Sequence, residues 1–161
     1  MNRLLVTLSI LVILFAACKK SDSTTSAEED LRSGIWRRTS GKISYKDPIT
    51  HGDSLKDYTL ADSPCRKDNA LLFKEGTIGI MDHGSLHCNS AEGNTQFYWE
   101  VSKDEKHLSL YGVADYFPIN DVDADILTRT LGYLTIRYRV VSADPLHSMY
   151  DTVYYTDVLR R

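Results

Sequence analysis

From Thr95 to Ser102 the chain reads Thr-Gln-Phe-Tyr-Trp-Glu-Val-Ser, with apolar and polar side chains alternating. Phe97, Trp99 and Val101 fall on one side, and Gln96, Glu100 and Ser102 on the other. A period of two leaves a single face to bury, the pattern of a half-buried strand. Leu134, Ile136, Tyr138 and Val140 repeat it opposite Arg137 and Arg139. Turn-forming clusters punctuate such runs: residues 74–76 separate 70–73 from 77–81, and 103–106 separate 97–101 from 107–111. Asp144-Pro145 separates 132–141 from 149–159. Short turns between strands imply antiparallel neighbours. Adding residues 35–46, 116–121 and 126–131 gives about eight to ten strands, which argues for an all-β sandwich or barrel. The one helical signal is short, at residues 26–33, where Ser26 is placed to cap and Glu29 follows three residues later.

Register is predicted most sharply at the 103–106 turn. Antiparallel pairing brings Leu108 and Leu110 to the face that carries Phe97, Trp99 and Val101. A slip by one residue would bury Glu100 and Lys106, which have no evident partner, so Trp99 is expected inside.

The amino terminus carries an address. Met1-Asn2-Arg3 is followed by an apolar run over residues 4–15, too short to span a bilayer, then Ala16, Ala17 and Cys18. This resembles the lipobox of bacterial lipoproteins, with Phe15 where leucine is usual. The resemblance implies a signal peptide at residues 1–17 and fatty acyl chains, such as palmitate, on Cys18. The partner would then be a membrane, and the place the bacterial cell envelope, on the outer membrane facing the periplasm. Residues 19–29 are rich in Ser, Thr and acids and hold no large apolar side chain, so residues 18–30 are expected to be a flexible tether. Residues 31–161 then form one domain.

Removing residues 1–17 of the 161 leaves 144, enough for a single core. The remaining charge is 18 basic against 22 acidic residues, with no basic stripe interleaved with aromatics, which argues against nucleic acid as a partner. Of three cysteines, one is assigned to lipid. Cys65 and Cys88 remain, and an oxidising envelope makes a disulfide their simplest use. Two free thiols are one alternative, and zinc held by His83, His87 and Cys88 is another, which pairing of Cys65 with Cys88 would preclude.

A second resemblance covers residues 30–160. Gly34-Ile35-Trp36 carries a Gly-x-Trp signature, followed by Cys65 and Arg66-Lys67-Asp68-Asn69. Next come Leu71-Leu72-Phe73-Lys74-Glu75-Gly76-Thr77, Cys88, Tyr98-Trp99, Leu108-Ser109-Leu110, Tyr116 with Ile119, and Ile126-Leu127. This order is similar to the lipocalin-like domain of bacterial envelope lipoproteins. It implies an antiparallel up-and-down barrel in which Trp36 plugs the closed end. A barrel of about eight strands either packs its own side chains or holds one small ligand. The candidate lining is Phe97, Trp99, Leu110, Leu134, Ile136 and Tyr138, and the ligand would be small and apolar or aromatic. The other reading is a filled interior serving a structural or protein-binding role.

No nucleophile elbow, phosphate-binding loop or His-Glu-x-x-His pair occurs, so neither enzyme activity, a cofactor nor a metal is expected. His51, His83, His87, His107 and His147 scatter over turns and strand edges. Asp121, Asp123 and Asp125 alternate as carboxylates around calcium can. An EF-hand beginning at Asp121 would need Gly in place of Ile126 and Glu in place of Gly132, so a solvated turn is expected instead. Tyrosines crowd the carboxyl-terminal part, with Tyr154 and Tyr155 on opposite faces and Tyr150 on the side of Tyr154.

Overall fold

The computed structural model describes residues 25–46, 50–57, 64–90, 92–140 and 153–161. Cys18, Tyr150, His147 and the Asp144-Pro145 turn lie outside them. Among the described residues nine antiparallel strands form one sheet: β1 (Arg37–Lys46), β2 (Asp53–Asp57), β3 (Ala70–Phe73), β4 (Ile78–Asp82), β5 (Thr95–Val101), β6 (His107–Tyr111), β7 (Asp121–Thr130), β8 (Tyr133–Val140) and β9 (Val153–Arg160). The order across the sheet is β2-β1-β9-β8-β7-β6-β5-β4-β3, a meander except that the last strand inserts beside the first. The sheet is not closed into a barrel, since β2 and β3 are its two ends. Trp36, just before β1, does exchange two main-chain hydrogen bonds of 2.9 Å with Leu71 of β3.

Alternation sets which side chains meet. Trp99 stands opposite Leu110 and Val101 opposite Leu108, the expected register across the 103–106 turn. Trp99 is buried, while Tyr98 and Glu100 face outward. Leu110 then pairs with Val122, and Leu108 with Ala124. One core results, with Phe73, Phe97, Trp99, Leu134, Ile136 and Leu159 among its members.

Two expectations about boundaries are corrected. The acids at 121–125 are not a turn but the first half of β7, because Val122 and Ala124 alternate inward and bury between them. The strand expected at 116–121 is instead irregular chain leading into β7. Strand β2 has no signal in the sequence: Asp-Ser-Leu-Lys-Asp buries nothing fully, and it forms by pairing with β1.

Residues 25–30, expected in the flexible segment, belong to the fold. Ala27–Arg32 is an α-helix, α1, capped by Ser26, whose Oγ accepts the Glu29 amide at 3.2 Å. Ala27 and Leu31 are buried on its inner side. Asp30 pairs with Arg129 of β7 at 2.8 Å, and Arg129 also donates to the Thr25 carbonyl. Two apolar side chains and one ion pair thus draw into the fold a segment whose remaining residues are polar.

The helix ends where Trp36 begins its work. The Trp36 indole N–H donates to the Leu31 carbonyl at 2.8 Å, satisfying one of the acceptors a helix end leaves open. Gly34 lies between them, and a β-carbon there would collide with the Arg161 side chain, which reaches across to Ser33. Among the described residues no helix is long and apolar enough to cross a membrane.

Candidate functional site

All six expected lining residues point to the inner face and are buried. Phe97 and Trp99 lie on β5, Leu110 on β6, and Leu134, Ile136 and Tyr138 on β8. Their surroundings differ along the sheet. Near β3 to β6 the interior is hydrocarbon packed ring to edge. Phe73 meets Phe97 with centroids 5.5 Å apart and Trp99 at 5.1 Å, both near perpendicular. This is the geometry aromatic quadrupoles favour. Gly79 stands opposite Phe97, and a β-carbon at Gly79 would overlap that ring. The Trp99 N–H donates to the Ile78 carbonyl at 3.1 Å. This region is satisfied by its own side chains.

Toward β8, β9 and β1 the interior turns polar. Asp157 is wholly buried, because β9 alternates Tyr155, Asp157 and Leu159 inward. It stands between Ile136 and Gly41 on the neighbouring strands. A carboxylate in such a place costs several kcal/mol unless hydrogen-bonded, on the order of the desolvation of any buried ion. The Tyr138 hydroxyl donates to Asp157 Oδ2 at 2.9 Å. Tyr138 is stacked on Tyr155, with centroids 5.4 Å apart and planes 11° from parallel. Phe117 meets the Tyr138 ring edge-on at 5.6 Å, and Tyr116 packs on Phe117 at 4.9 Å. The Tyr116 hydroxyl reaches the Trp36 carbonyl at 3.5 Å, and the Arg38 guanidinium lies 5.3 Å from the Tyr116 ring centre.

The phenols feel this setting. Burial pushes the Tyr116 hydroxyl far above the ordinary phenol range, against the pull of Arg38, and the Asp157 charge adds to the rise. Tyr155 is raised by burial and then by Asp157. Both phenols stay neutral, and Tyr138 is the one that donates to the Asp157 carboxylate. The arrangement can accept a hydrogen bond and stack a flat ring, and Tyr155 is only half-buried.

Of this group the sequence points to Tyr138 as lining, and not to Asp157, Tyr155, Tyr116 or Arg38. One signal was present: an acid at the inward position of an otherwise apolar alternation, two residues from Tyr155 and two from Leu159.

A second polar cluster lies at the loops flanking β3 and β4. Cys65 and Cys88 stand at disulfide distance, their Cα atoms 5.1 Å apart, joining the loop before the β3–β4 hairpin to the loop after it. Zinc at His83, His87 and Cys88 is therefore not assembled, and among the described residues no group of three His, Cys, Asp or Glu suits a metal. Asp68 Oδ2 accepts the Ser85 and Leu86 amides at 2.6 and 3.1 Å, which holds its carboxyl below the usual range. Glu92 is lowered likewise, first by the Cys88 amide at 2.5 Å. Buried His83 has Nδ1 3.4 Å from the other Glu92 oxygen. The Asp121, Asp123 and Asp125 side chains point outward from β7 and do not converge.

No protein-family model, curated protein or solved structure matches the chain.

Proposed function

We propose that the chain is a lipid-anchored, lipocalin-like lipoprotein of the bacterial envelope that binds a small aromatic ligand at the Tyr138–Tyr155–Asp157 end of its interior. The anchor rests on the Ala16-Ala17-Cys18 junction. The lipocalin-like reading draws support from the meander order and from the Trp36–Leu71 hydrogen bonds, which bring the β1 side of the sheet to β3. A complete barrel is the finer part of the proposal.

One observation carries the ligand assignment. A fully buried carboxylate lies against two parallel phenol rings, one of them partly exposed, in a sheet whose inner positions on β3 to β6 are hydrocarbon. Small-molecule sites combine an apolar wall with a few placed polar groups. Asp157 would accept a donor on the ligand, and Tyr155 would stack on its ring. Phe97, Trp99, Leu110 and Leu134 belong to packing in this reading, a narrower site than the six-residue lining expected from sequence.

The competing reading is a filled interior with a structural or protein-binding role, favoured by the ring packing of Phe73, Phe97 and Trp99. Mass spectrometry of small molecules retained by the protein after gentle extraction from its membranes separates the two. A retained aromatic compound in the wild type, absent from Tyr155→Ala, is the expected result. A wild type that retains nothing from its native membrane would support the filled interior.

A further inference from the structure

We propose that the outward face of β1, β9 and β8 is a docking surface for anionic lipid headgroups of the membrane that holds the chain's own anchor. The proposal rests on anchorage at Cys18 and adds to it a defined orientation of the domain.

Strand pairing lines up the outward positions in rows. Arg37, Arg160 and Tyr133 form one row, Lys42, Thr156 and Arg137 a second, and Ser44, Tyr154 and Arg139 a third. With Lys46, six cations face outward on these three strands, while Arg38 turns inward over Tyr116. The one acid on these strands is Asp157, which faces inward. The chain as a whole is acidic, at −3, so the cations are sorted rather than in surplus. Strand β7 shows the opposite sign outward, in Asp121, Asp123 and Asp125.

Neutralisation within the patch is partial. Asp57 and Asp53 of β2 stand opposite Lys42 and Lys46, and Asp125 holds Arg137 at 3.3 Å. Among the described residues, Arg37, Arg139 and Arg160 have no carboxylate within ion-pair distance. Tyr133 lies 5.2 Å from the Arg160 guanidinium, and Tyr154 lies 5.9 Å from that of Arg137. Paired Arg and Tyr side chains suit a boundary between water and lipid, where amphipathic rings collect.

Anchorage at Cys18 brings one end of this face near the membrane. From Cys18 to Thr25 is seven residues, a reach of at most about 25 Å. The Thr25 carbonyl is held by Arg129, which shares the inward side with Leu134 near the end of β7. The chain therefore leaves the fold at the end of the sheet that carries the Arg37–Arg160–Tyr133 row on its outward side. Each cation near an anionic leaflet favours binding by about fivefold. Arg37 and Arg160 at that end, with Arg139 farther along β8, make an adequate clamp.

The test is hydroxyl-radical footprinting of the full lipid-bearing chain in vesicles of phosphatidylcholine, with and without phosphatidylglycerol. Four exposed tyrosines serve as reporters. Tyr133 and Tyr154 are 45% and 42% exposed on the cationic face, while Tyr98 and Tyr111 are 56% and 47% exposed elsewhere. Phosphatidylglycerol should slow oxidation of Tyr133 and Tyr154 several-fold and leave Tyr98 and Tyr111 unchanged. Roughly 0.5 M salt should remove the difference, since screening shortens to a few ångströms there. The pair Arg139→Gln and Arg160→Gln should lose the protection, while Arg139→Lys with Arg160→Lys keeps it, which guards against misfolding as the cause.

Equal oxidation of all four tyrosines in both vesicles, or protection of Tyr98 and Tyr111 instead, overturns the proposal. Protection in native envelope fragments but in neither vesicle also overturns it, assigning the face to an acidic protein. The mass of the Cys18 peptide from the same digest reports the anchor separately. Unmodified Cys18 with Tyr133 and Tyr154 protected removes the anchor and leaves the lipid-binding face. Acylated Cys18 without protection leaves the anchor and removes the face.

Discussion

Strands β3 to β6 and strands β8, β9 and β1 belong to one sheet, yet they answer different physical demands. In the first group the inward positions hold Leu71, Phe73, Phe97, Trp99, Leu108 and Leu110, and the rings fill the space between them. In the second group the inward positions mix Leu134, Ile136 and Leu159 with Tyr138, Tyr155 and Asp157. The outward faces differ as well, with six cations on β1, β9 and β8 and three aspartates on neighbouring β7. Burying an acid and gathering like charges both work against folding. Cost of this kind, concentrated on three adjacent strands, marks where binding is to be sought, and the hydrocarbon strands supply the stability that tolerates it.

That comparison breaks most readily at Trp99. Trp99→Ala should destabilise the protein by about 3–5 kcal/mol, the usual range for emptying a packed aromatic site. It should leave retention of any aromatic ligand nearly unchanged once folding is restored at low temperature. Denaturant melts paired with mass spectrometry check both halves, and a small stability loss with abolished retention would put the ligand beside β5 instead.

A smaller effect is expected at Tyr138. Tyr138→Phe keeps the ring against Phe117 and Tyr155 and removes only the donor to Asp157. The loss should be about 2 kcal/mol, as for hydrogen bonds to charged groups. Tyr133→Phe, on the surface, should cost almost nothing. Equal melting midpoints for the two variants would mean that the Tyr138–Asp157 bond is not a structural element of the polar end.

The smallest effect concerns the loops around the Cys65–Cys88 pair. Glu92 and Asp68 have folded-state pKa values below their unfolded ones, through the Cys88 and the Ser85 and Leu86 amides respectively. Their contribution is present above the ordinary carboxylate range and fades as pH falls through the depressed values. Acid should therefore open residues 82–94 before the sheet melts. Amide exchange at Ser85, Leu86 and Cys88 should accelerate on acidification relative to Trp99. Unchanged protection at those amides down to global unfolding would contradict it.

What the sequence made legible follows the same division. The β5–β6 register was readable because a slip would bury Glu100 and Lys106, so alternation alone decides it. The Cys65–Cys88 pairing followed from counting cysteines. Helix α1 was half-read: Ser26 signalled a cap, but the polar run of Glu28, Glu29 and Asp30 disguised the two side chains that bury. Strand β2 was invisible because Asp53–Asp57 lacks an apolar period and is held by main-chain pairing with β1. The acids of β7 read as a turn because local composition outweighed the inward Val122 and Ala124. Asp157 was missed for a different reason. Its significance lies in facing inward opposite Tyr138's neighbour Ile136, a fact of register between distant strands.

The central claim, that the polar end binds and the hydrocarbon end packs, is tested most directly by melting wild type, Trp99→Ala and Tyr155→Ala. Each is measured as gently extracted and after exhaustive removal of small molecules with organic extraction and refolding. Stripping should lower the melting temperature of wild type and of Trp99→Ala by similar amounts and leave Tyr155→Ala unmoved. A stripped wild type that melts at the same temperature as the extracted protein, or a Tyr155→Ala that still responds to stripping while Trp99→Ala does not, would contradict it.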